Sequence, residues 1–363
     1  MVYLYNLLAV PLYYYIIRIN AKNTVNSTKF FYFVVALHAI LFRVLANPYN
    51  YVDIENYANA FGNIAEMSFN EAVFSFNIYS AWGVGYVALN WVVGQLANNA
   101  LYLFAITTIL SVGGTVYYYK KTSYLSLAPI MLYLLYPMMY FMSFGVIRQH
   151  ISIPFILFAL YYIDNLKYSI PLLIISILFH TGAVVFVPFY FLIYFYKKHS
   201  LKVSICFSLV MVVLMKGSVL FLLSFLPRYE ETYEERESTN NIVPVFLIGF
   251  FLYLLYVSKI WQRIKCSNQK DYNVILFVFY GFFVSLFSIG MSSAGRLPLP
   301  FIYILPVAMT YLYKYNRKKV LFYHMYLAVF TSITLIFYYL SYKAGELYVY
   351  AYSFFWEPQV LYY

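Results

Sequence analysis

Long apolar stretches alternate with short polar ones along the whole chain. Nearly uncharged runs cover residues 30–45, 101–119, 125–144, 203–215, 243–257, 274–289 and 321–340. As helices, runs of this kind reach across a hydrocarbon core of about 30 Å. Because lipid offers the backbone no hydrogen-bond partners, only helices or a closed barrel can span it, and the runs lack the alternation of barrel strands. The sequence therefore predicts an all-α, polytopic transmembrane helical bundle with about 10–12 membrane helices.

The composition agrees with a membrane protein and gives no reason to expect a nucleic-acid partner. Of the 363 residues, 64% are hydrophobic and 10% are charged. The net charge of +11 comes from basic residues that cluster between apolar runs, as the positive-inside rule predicts for cytoplasmic loops. The two cysteines, Cys206 and Cys266, indicate neither a disulfide framework nor a zinc site. We expect a single integral membrane domain over residues 1–363.

The distribution of charge assigns the polar segments to the two sides of the membrane. Basic clusters around Lys22, Lys121, Lys198, Lys265 and Lys318 predict internal loops. Residues 47–79 contain acidic side chains and no Lys or Arg, and residues 227–241 are rich in glutamate. Both segments are therefore predicted to be external loops.

Two segments do not fit as complete membrane spans. Residues 80–97 contain Gly83, Gly85 and Gly94 and are predicted to form a re-entrant or interfacial helix. Residues 168–196 lie between internal lysines but are too short for two spans of roughly 20 residues each. They are predicted to form two tilted or half-length helices that break around His180. Broken helices at membrane depth are tolerated where they line a cavity.

Several cations lie outside or in the outer half of the membrane, against the insertion bias. They are Arg43, Arg148, Lys216, Arg228, Arg236, Arg296 and Lys343. The same threading brings other polar side chains to the outer side: Asp53, Tyr57, Gln149, His150 and His180. Ionisable residues at membrane depth are costly, so a functional role is the default expectation. The sequence thus predicts one outer-leaflet cavity, to which Arg296 belongs through a turn at residues 292–295.

The same residues also have purely structural interpretations. Arg43 can pair with Asp53, whereas Arg148 and Arg296 can extend to phospholipid headgroups. Lys216 can extend in the same way. The remaining side chains, Tyr57 and His180 in particular, can serve helix packing.

The chemistry of this residue set suits a phosphorylated sugar substrate. Arginine offers planar, bidentate hydrogen bonding to phosphate oxygens. A carboxylate or histidine can deprotonate a hydroxyl nucleophile. The chain has no Asp-x-Asp pair and no glycine-rich phosphate loop, so we expect no metal and no cofactor. A donor with a lipid-anchored pyrophosphate, stabilised by arginine as it departs, needs neither.

The polar motifs follow a recognisable order along the chain. Arg43 is followed by Asp53-x-x-x-Tyr57, by Phe144-x-x-x-Arg148-Gln149, by Phe179-His180-Thr181-Gly182, and by Arg296 ahead of a proline-rich helix. This order and spacing resembles the EpsG-type branch of the Wzy polysaccharide polymerases, over nearly the whole chain. The resemblance implies an O-antigen, capsule or exopolysaccharide polymerase of the bacterial inner membrane, a multi-pass protein whose active site faces the periplasm or exterior.

The resemblance also implies substrates and residue roles. The enzyme would join undecaprenyl-pyrophosphate-linked oligosaccharides, with membrane lipids around it and a chain-length regulator protein as an additional candidate partner. Arg148 and Arg296 would grip the pyrophosphate, and Arg43 would add charge or fix Asp53. Asp53 or His180 would be the catalytic base. Tyr57, Gln149 and His150 would contribute to substrate binding.

Three other functions place arginine in a membrane cavity. A flippase or transporter of lipid-linked saccharides would favour internal repeats, and the sequence shows no convincing repeat. A polysaccharide-modifying membrane acyltransferase would need a His or Arg reachable from the cytoplasm, where His199 and His324 are the candidates. A ligase that transfers finished glycan to another acceptor shares the same chemistry, and the sequence does not separate it from a polymerase.

Overall fold

Most of the described residues are helical. The computed structural model describes residues 2–20, 24–48, 51, 53–75, 79, 82–125, 127–223, 242–289, 296–316 and 320–344. These residues contain no β-strand. The all-α prediction is therefore confirmed.

The described residues divide into two compact units. The first comprises those up to Val184 and from Thr331 onward, and the second those from Val185 to Phe330. Ten α-helices of the first unit are α1 Val2–Ile19, α2 Thr24–Val44, α3 Ile54–Glu66, α4 Phe69–Phe74, α5 Val84–Leu96, α6 Ala100–Thr108, α7 Gly114–Thr122, α8 Leu127–Leu135, α9 Ile147–Tyr161 and α10 Leu166–Phe179.

The second unit is built from a further set of helices. They are α11 Val187–Lys198, α12 Leu201–Leu223, α13 Ile242–Val257, α14 Ile260–Ser267, α15 Gln269–Ser288 and α16 Leu299–Lys314. Helix α17, Leu321–Ala344, begins in this unit and ends in the first.

Four helices within the described residues are long and apolar enough to cross a membrane. They cover Val25–Val44, Ala100–Thr122, Gln269–Ser288 and Leu321–Leu340. A fifth span results if α13 and α14, which meet at an angle of 83°, are counted as one. The multi-pass prediction agrees with these helices, and the higher total of membrane helices stays a prediction.

One predicted span is interrupted, and another contains a local change of helix type. The apolar run 125–144 forms α8 only as far as Leu135, because the residue before Pro137 disfavours helical geometry. The run 101–119 stays helical, with a π-helical segment, Ile109–Gly113, between α6 and α7. Such segments occur frequently at functional sites, and this one contains Ser111, which contacts Arg43.

The two segments predicted to be irregular are short helices. Within residues 80–97, α5 has 13 residues, fewer than a complete span requires. Within residues 168–196, α10 ends at Phe179, His180 is extended, and a 3-10 helix, Thr181–Phe186, leads into α11. The predicted break at His180 is confirmed.

The predicted external loop at residues 47–79 contains two helices, α3 and α4. Helix α3 buries Ile54, Tyr57, Phe61 and Ile64 on one face and exposes polar residues on the other. Its partner is α5: Trp91 donates a hydrogen bond to the Met67 carbonyl at 2.9 Å. Glu55 and Glu66 of this segment therefore lie on the polar face of an amphipathic helix, whose side of the membrane stays a prediction.

A group of polar side chains connects the start of α15 with the end of α16 in the second unit. Asp271 accepts hydrogen bonds at one carboxylate oxygen from Lys314 Nζ at 2.6 Å and from Tyr315 OH at 2.7 Å. Burial and the Asp271 carboxylate raise the pKa of Tyr315 above its usual value, so this phenol remains a donor at physiological pH.

Lys216 donates to the Ile289 carbonyl at 2.9 Å, at the end of α15, where a cation is favourable.

Some predictions fall outside the described residues. They concern the external loop 227–241 with Arg228 and Arg236, the turn at 292–295 and the chain after residue 344.

Candidate active site

Arg148 is half-buried among aromatic rings near the start of α9. Its guanidinium carbon lies 5.0 Å from the centre of the Trp82 ring and 5.9 Å from that of Tyr57. Its Nε also donates a long hydrogen bond of 3.4 Å to the Tyr57 hydroxyl. An aromatic ring attracts the positive charge of the guanidinium. Unlike a carboxylate, it carries no negative charge that would neutralise the arginine. The ring pair therefore positions Arg148 while keeping its positive charge uncompensated by these contacts.

The rings around Arg148 belong to α3, to α5 and to Trp82, which lies just before α5. Tyr57 lies on the buried face of α3, and Tyr86 lies on α5. The ring of Tyr57 makes edge contacts with Trp82 at 5.2 Å and with Tyr86 at 5.7 Å. Such edge-to-face pairs stabilise beyond their buried area. The contact of α3 with α5 thus produces the aromatic site that receives Arg148.

The backbone before α5 packs closely against the end of α10. Gly83 has φ of 89°, a conformation that favours glycine. A Cβ at Gly83 would lie 2.6 Å from the Leu178 carbonyl oxygen, and one at Gly85 would lie 3.0 Å from the Leu178 Cβ. Only glycine allows this approach, which places Trp82 close to the chain that leads into His180.

His180 is the residue at which α10 ends. Its backbone N–H donates to the Ser176 carbonyl at 2.9 Å, and its carbonyl accepts from Ala183 at 2.9 Å. A Cβ at Gly182 would lie 2.6 Å from His180 Nε2. The glycine of the His180-Thr181-Gly182 motif therefore leaves room for the imidazole, which is half-buried.

Gln149 and His150 follow Arg148 but differ from it in exposure. Gln149 is 4% exposed and His150 is 1% exposed. Both belong to the buried surface of α9, which packs against α7 and α10. Substrate contact by either side chain remains a prediction.

Arg43 is buried near the end of α2, with 7% of its surface exposed. Its NH1 donates to the Ser111 hydroxyl at 2.9 Å and to the Ser143 hydroxyl at 3.2 Å. Both hydrogen bonds of this nitrogen therefore go to serine hydroxyls, and a pairing of Arg43 with Asp53 stays a prediction. The guanidinium carbon also lies 5.3 Å from the Phe144 ring centre.

A small cavity of about 30 Å³ lies beside Arg43. Tyr51, Thr108 and Phe144 contribute to its wall, together with apolar residues of α3 and α6. The hydroxyls that hold Arg43 also donate to backbone carbonyls: Ser111 to Thr107 at 2.8 Å, and Ser143 to Tyr140. The arginine is therefore anchored to the helix framework of the cavity.

In the sequence, Asp53 lies close both to residues that line the Arg43 cavity and to Tyr57, which contacts Arg148. It precedes α3 in a left-handed conformation, with φ of 68°, and its side chain makes no capping hydrogen bond to the helix. This conformation is uncommon for residues other than glycine, although Asp tolerates it better than most. Tyr51 and Ile54 on either side line the Arg43 cavity, and Tyr57 reaches Arg148.

Arg296 belongs to the second unit, where it is exposed ahead of α16. Its carbonyl accepts a hydrogen bond from Leu299 at 3.2 Å. The first unit brings Arg148 to Tyr57, and Arg43 to its own cavity. That Arg296 joins either group remains a prediction.

Several residues of these surroundings were not identified from the sequence. Trp82 and Tyr86 complete the rings around Arg148, while Ser111 and Ser143 hold Arg43. Trp82 directly before Gly83-x-Gly85 was a usable signal, because tryptophan is rare in this chain and glycine permits close packing. Serines in apolar helices give a weaker signal. Among the residues described, no group of three or more His, Cys, Asp or Glu side chains is arranged to hold a metal ion.

Comparison with known proteins identifies the family. The family model described as the EpsG family matches residues 31–354, nearly the entire chain. No match was found to a curated protein or to a solved structure. The matched region contains the arginine sites on α2 and α9, the break at His180 and Arg296. The chain belongs to the EpsG family of polysaccharide polymerase-type membrane proteins.

Proposed function

We propose that this protein polymerises lipid-pyrophosphate-linked oligosaccharide units at the outer face of the bacterial inner membrane. The growing chain is transferred from its undecaprenyl pyrophosphate carrier to the incoming lipid-linked unit. The observation that carries the proposal is the position of Arg148, half-buried and held by Tyr57 and Trp82. Membership of the EpsG family supports the coarser assignment to a polysaccharide polymerase.

The proposed reaction forms one glycosidic bond and breaks one bond to pyrophosphate. A hydroxyl oxygen of the acceptor sugar attacks the anomeric carbon of the donor sugar. The bond between that carbon and the pyrophosphate oxygen breaks, and lipid pyrophosphate departs with the electron pair. Asp53 or His180 accepts the hydroxyl proton. Arg148 stabilises the charge that develops on the leaving group, a form of catalysis that needs no metal.

The remaining roles follow from the positions of the side chains. Tyr57 presents its hydroxyl to Arg148, so it orients the guanidinium and contacts the substrate beside it. Arg43 lines its cavity and adds positive charge there. Arg296, exposed before α16, is proposed as a second group for the pyrophosphate.

The polymerase is tested by incubating the purified protein in detergent with its lipid-pyrophosphate-linked oligosaccharide. A ladder of products that differ by one repeat unit is the expected result. A single transfer would assign the protein as a ligase. The absence of any product, combined with translocation of the lipid-linked unit in proteoliposomes, would assign it as a flippase.

The outer location of the site is tested by cysteine labelling. The native Cys206 and Cys266 are exposed, so both are first replaced by serine. In that background, His180→Cys is expected to react with a membrane-impermeant thiol reagent added to intact spheroplasts. Labelling only after the cytoplasmic side is opened would contradict the proposed orientation. Cys266 restored alone, on the predicted internal side, is the matched control.

A further inference from the structure

A second cleft of the first unit lies between α3 and the start of α6. It has a volume of about 460 Å³ and is open to the outside. Small-molecule sites usually have volumes of about 300–1,000 Å³. Its lining residues are Glu55, Ala58, Asn59, Phe61, Gly62, Asn98, Asn99 and Ala100. None of the residues discussed so far as candidates for catalysis belongs to this set.

The cleft has the chemistry of a site for a neutral polyhydroxyl compound. Three asparagines each bring a carboxamide, which has both donor and acceptor atoms. Glu55 adds a carboxylate, an acceptor for hydroxyl groups. No described lining residue carries a positive charge, so phosphate is not the ligand that this wall favours.

The polar groups of the cleft belong to helix α3 and to the segment that caps α6. Glu55, Asn59 and Gly62 follow each other at helical spacing along the exposed side of α3. Asn99 caps α6 by accepting a hydrogen bond from the Leu101 N–H at 2.9 Å through its Oδ1 atom. That contact fixes the carboxamide and leaves its NH₂ donors to the cleft.

The cleft adjoins the Arg43 cavity. Ile54 lines the cavity and Glu55 the cleft, and likewise Leu101 lines the cavity and Ala100 the cleft. Neighbouring residues on the same two helices thus contribute to both spaces.

We propose that this cleft binds the neutral sugar portion of a lipid-linked unit, through the amides of Asn59, Asn98 and Asn99 and the carboxylate of Glu55. This assignment rests on the proposed polymerase function for the identity of the sugar. Sugar hydroxyls donate to the carboxylate and exchange hydrogen bonds with the amides. The cleft is therefore an acceptor or donor saccharide subsite, separate from the aromatic surroundings of Arg148.

Gly62 allows the cleft to be filled without disturbing the helix. A Cβ at this position meets no atom within 4 Å, so Gly62→Phe places a ring in the empty space. The matched control is Gly217→Phe on α12, where a Cβ also meets nothing within 4 Å. Asn59→Ala is a second variant, which removes one amide and leaves the space open.

The probe is the repeat-unit oligosaccharide freed from its lipid pyrophosphate by mild acid. Its binding to the purified protein in detergent is measured by saturation-transfer NMR. Gly62→Phe is expected to weaken binding at least tenfold and Asn59→Ala about fivefold, the effect of about one hydrogen bond. Gly217→Phe is expected to bind like the unmodified protein.

Each outcome separates the saccharide subsite from the polymerase assignment. Binding by Gly62→Phe equal to that of Gly217→Phe overturns the subsite, and so does an absence of binding by the unmodified protein. The product ladder decides the polymerase function independently of both results. Binding that depends on Gly62 and Asn59 supports the subsite even where no ladder forms.

Discussion

Arg43 and Arg148 are two arginines of one compact unit with different surroundings. Arg43 is almost completely buried and donates to two serine hydroxyls that are themselves tied to helix carbonyls. Arg148 is half-buried and lies against the rings of Trp82 and Tyr57. Two hydrogen bonds to serine hydroxyls hold NH1 of Arg43, whereas Arg148 has two aromatic rings beside its guanidinium and one long hydrogen bond from its Nε to Tyr57.

The different surroundings of the two arginines indicate different roles. An arginine fixed in the wall of a cavity provides a permanent positive charge there, at the cost of bringing that charge out of water. An arginine on an aromatic surface keeps its positive charge, which attracts an incoming anion more strongly as water leaves the site. We infer that Arg148 acts on the reacting pyrophosphate and that Arg43 shapes and charges its cavity.

The largest effect is expected from Arg148→Ala. Loss of a group that stabilises transition-state charge typically lowers the rate by about 10²–10³-fold. Arg148→Lys keeps the positive charge but loses the planar guanidinium, so its rate is expected to lie between those of Arg148→Ala and the unmodified protein. The measurement is the initial rate of ladder formation, with an unchanged gel-filtration profile.

The control for Arg148 is Lys121→Ala. Lys121 is also a cation beside aromatic rings, 5.1 Å from the ring centre of Tyr161, but it lies at the predicted internal end of α7. Its replacement should leave the rate unchanged. A rate for Arg148→Ala within twofold of that of Lys121→Ala would remove Arg148 from the reaction.

The second prediction concerns the hydroxyls that hold Arg43. The double variant Ser111→Ala, Ser143→Ala removes two hydrogen-bond acceptors of a buried cation, which costs about 1–3 kcal/mol. We expect a lower Tm in detergent, together with a rate loss smaller than that of Arg148→Ala. Ser176→Ala is the control, since this buried serine donates only to a carbonyl of its own helix, at 2.7 Å. An equal Tm for the double variant and the control would show that the hydroxyls do not hold Arg43.

The third prediction concerns Trp82, one of the two rings that lie against Arg148. Cation–π contacts contribute about 0.5–2 kcal/mol, so Trp82→Ala should lower the rate by about 2- to 30-fold and leave the Arg43 cavity unaffected. Trp82→Phe retains a ring and should lose less. Trp91→Phe makes the same change at a tryptophan that donates to a backbone carbonyl, and it should keep the full rate. A Trp82→Ala variant as active as Trp91→Phe would contradict a positioning role for this ring.

Most of the helices could be predicted from the sequence, because an apolar run in lipid must form them. The break at His180 followed from the shortness of its segment. The end of α8 at Leu135 was missed because the hydrophobic run continues past Pro137. Helix α3 was missed because its acidic residues suggested a loop, although its apolar residues follow a helical period.

The candidate site could be predicted only in part. The cations were found because charge in an apolar chain is conspicuous. Their surroundings were not, since Arg148 and Tyr57 are 91 positions apart and their contact depends on how α9 packs against other helices. A serine that accepts from arginine has no local pattern that distinguishes it from a serine that bonds its own helix.

The smallest effect on stability is expected at Asp53, which lies between the two arginine surroundings along the chain. Its left-handed conformation suits glycine, so Asp53→Gly should change the free energy of unfolding by less than about 1 kcal/mol. The relieved backbone strain offsets the greater flexibility of the unfolded chain. Asp53→Ala lacks that relief and should be less stable by about 1 kcal/mol. A large stability loss in Asp53→Gly would show that the carboxylate itself holds the two regions together.

The rates of the Asp53 variants then identify the base. Asp53→Asn keeps the size of the side chain and removes only the negative charge, whereas Asp53→Gly removes the side chain and keeps the turn. Loss of ladder formation in both variants, at unchanged stability, assigns proton abstraction to the Asp53 carboxylate. Full rates in both variants assign it to His180, whose replacement by glutamine should then abolish the ladder. Asp53 would in that case only set the geometry between the Arg43 cavity and the helix that carries Tyr57.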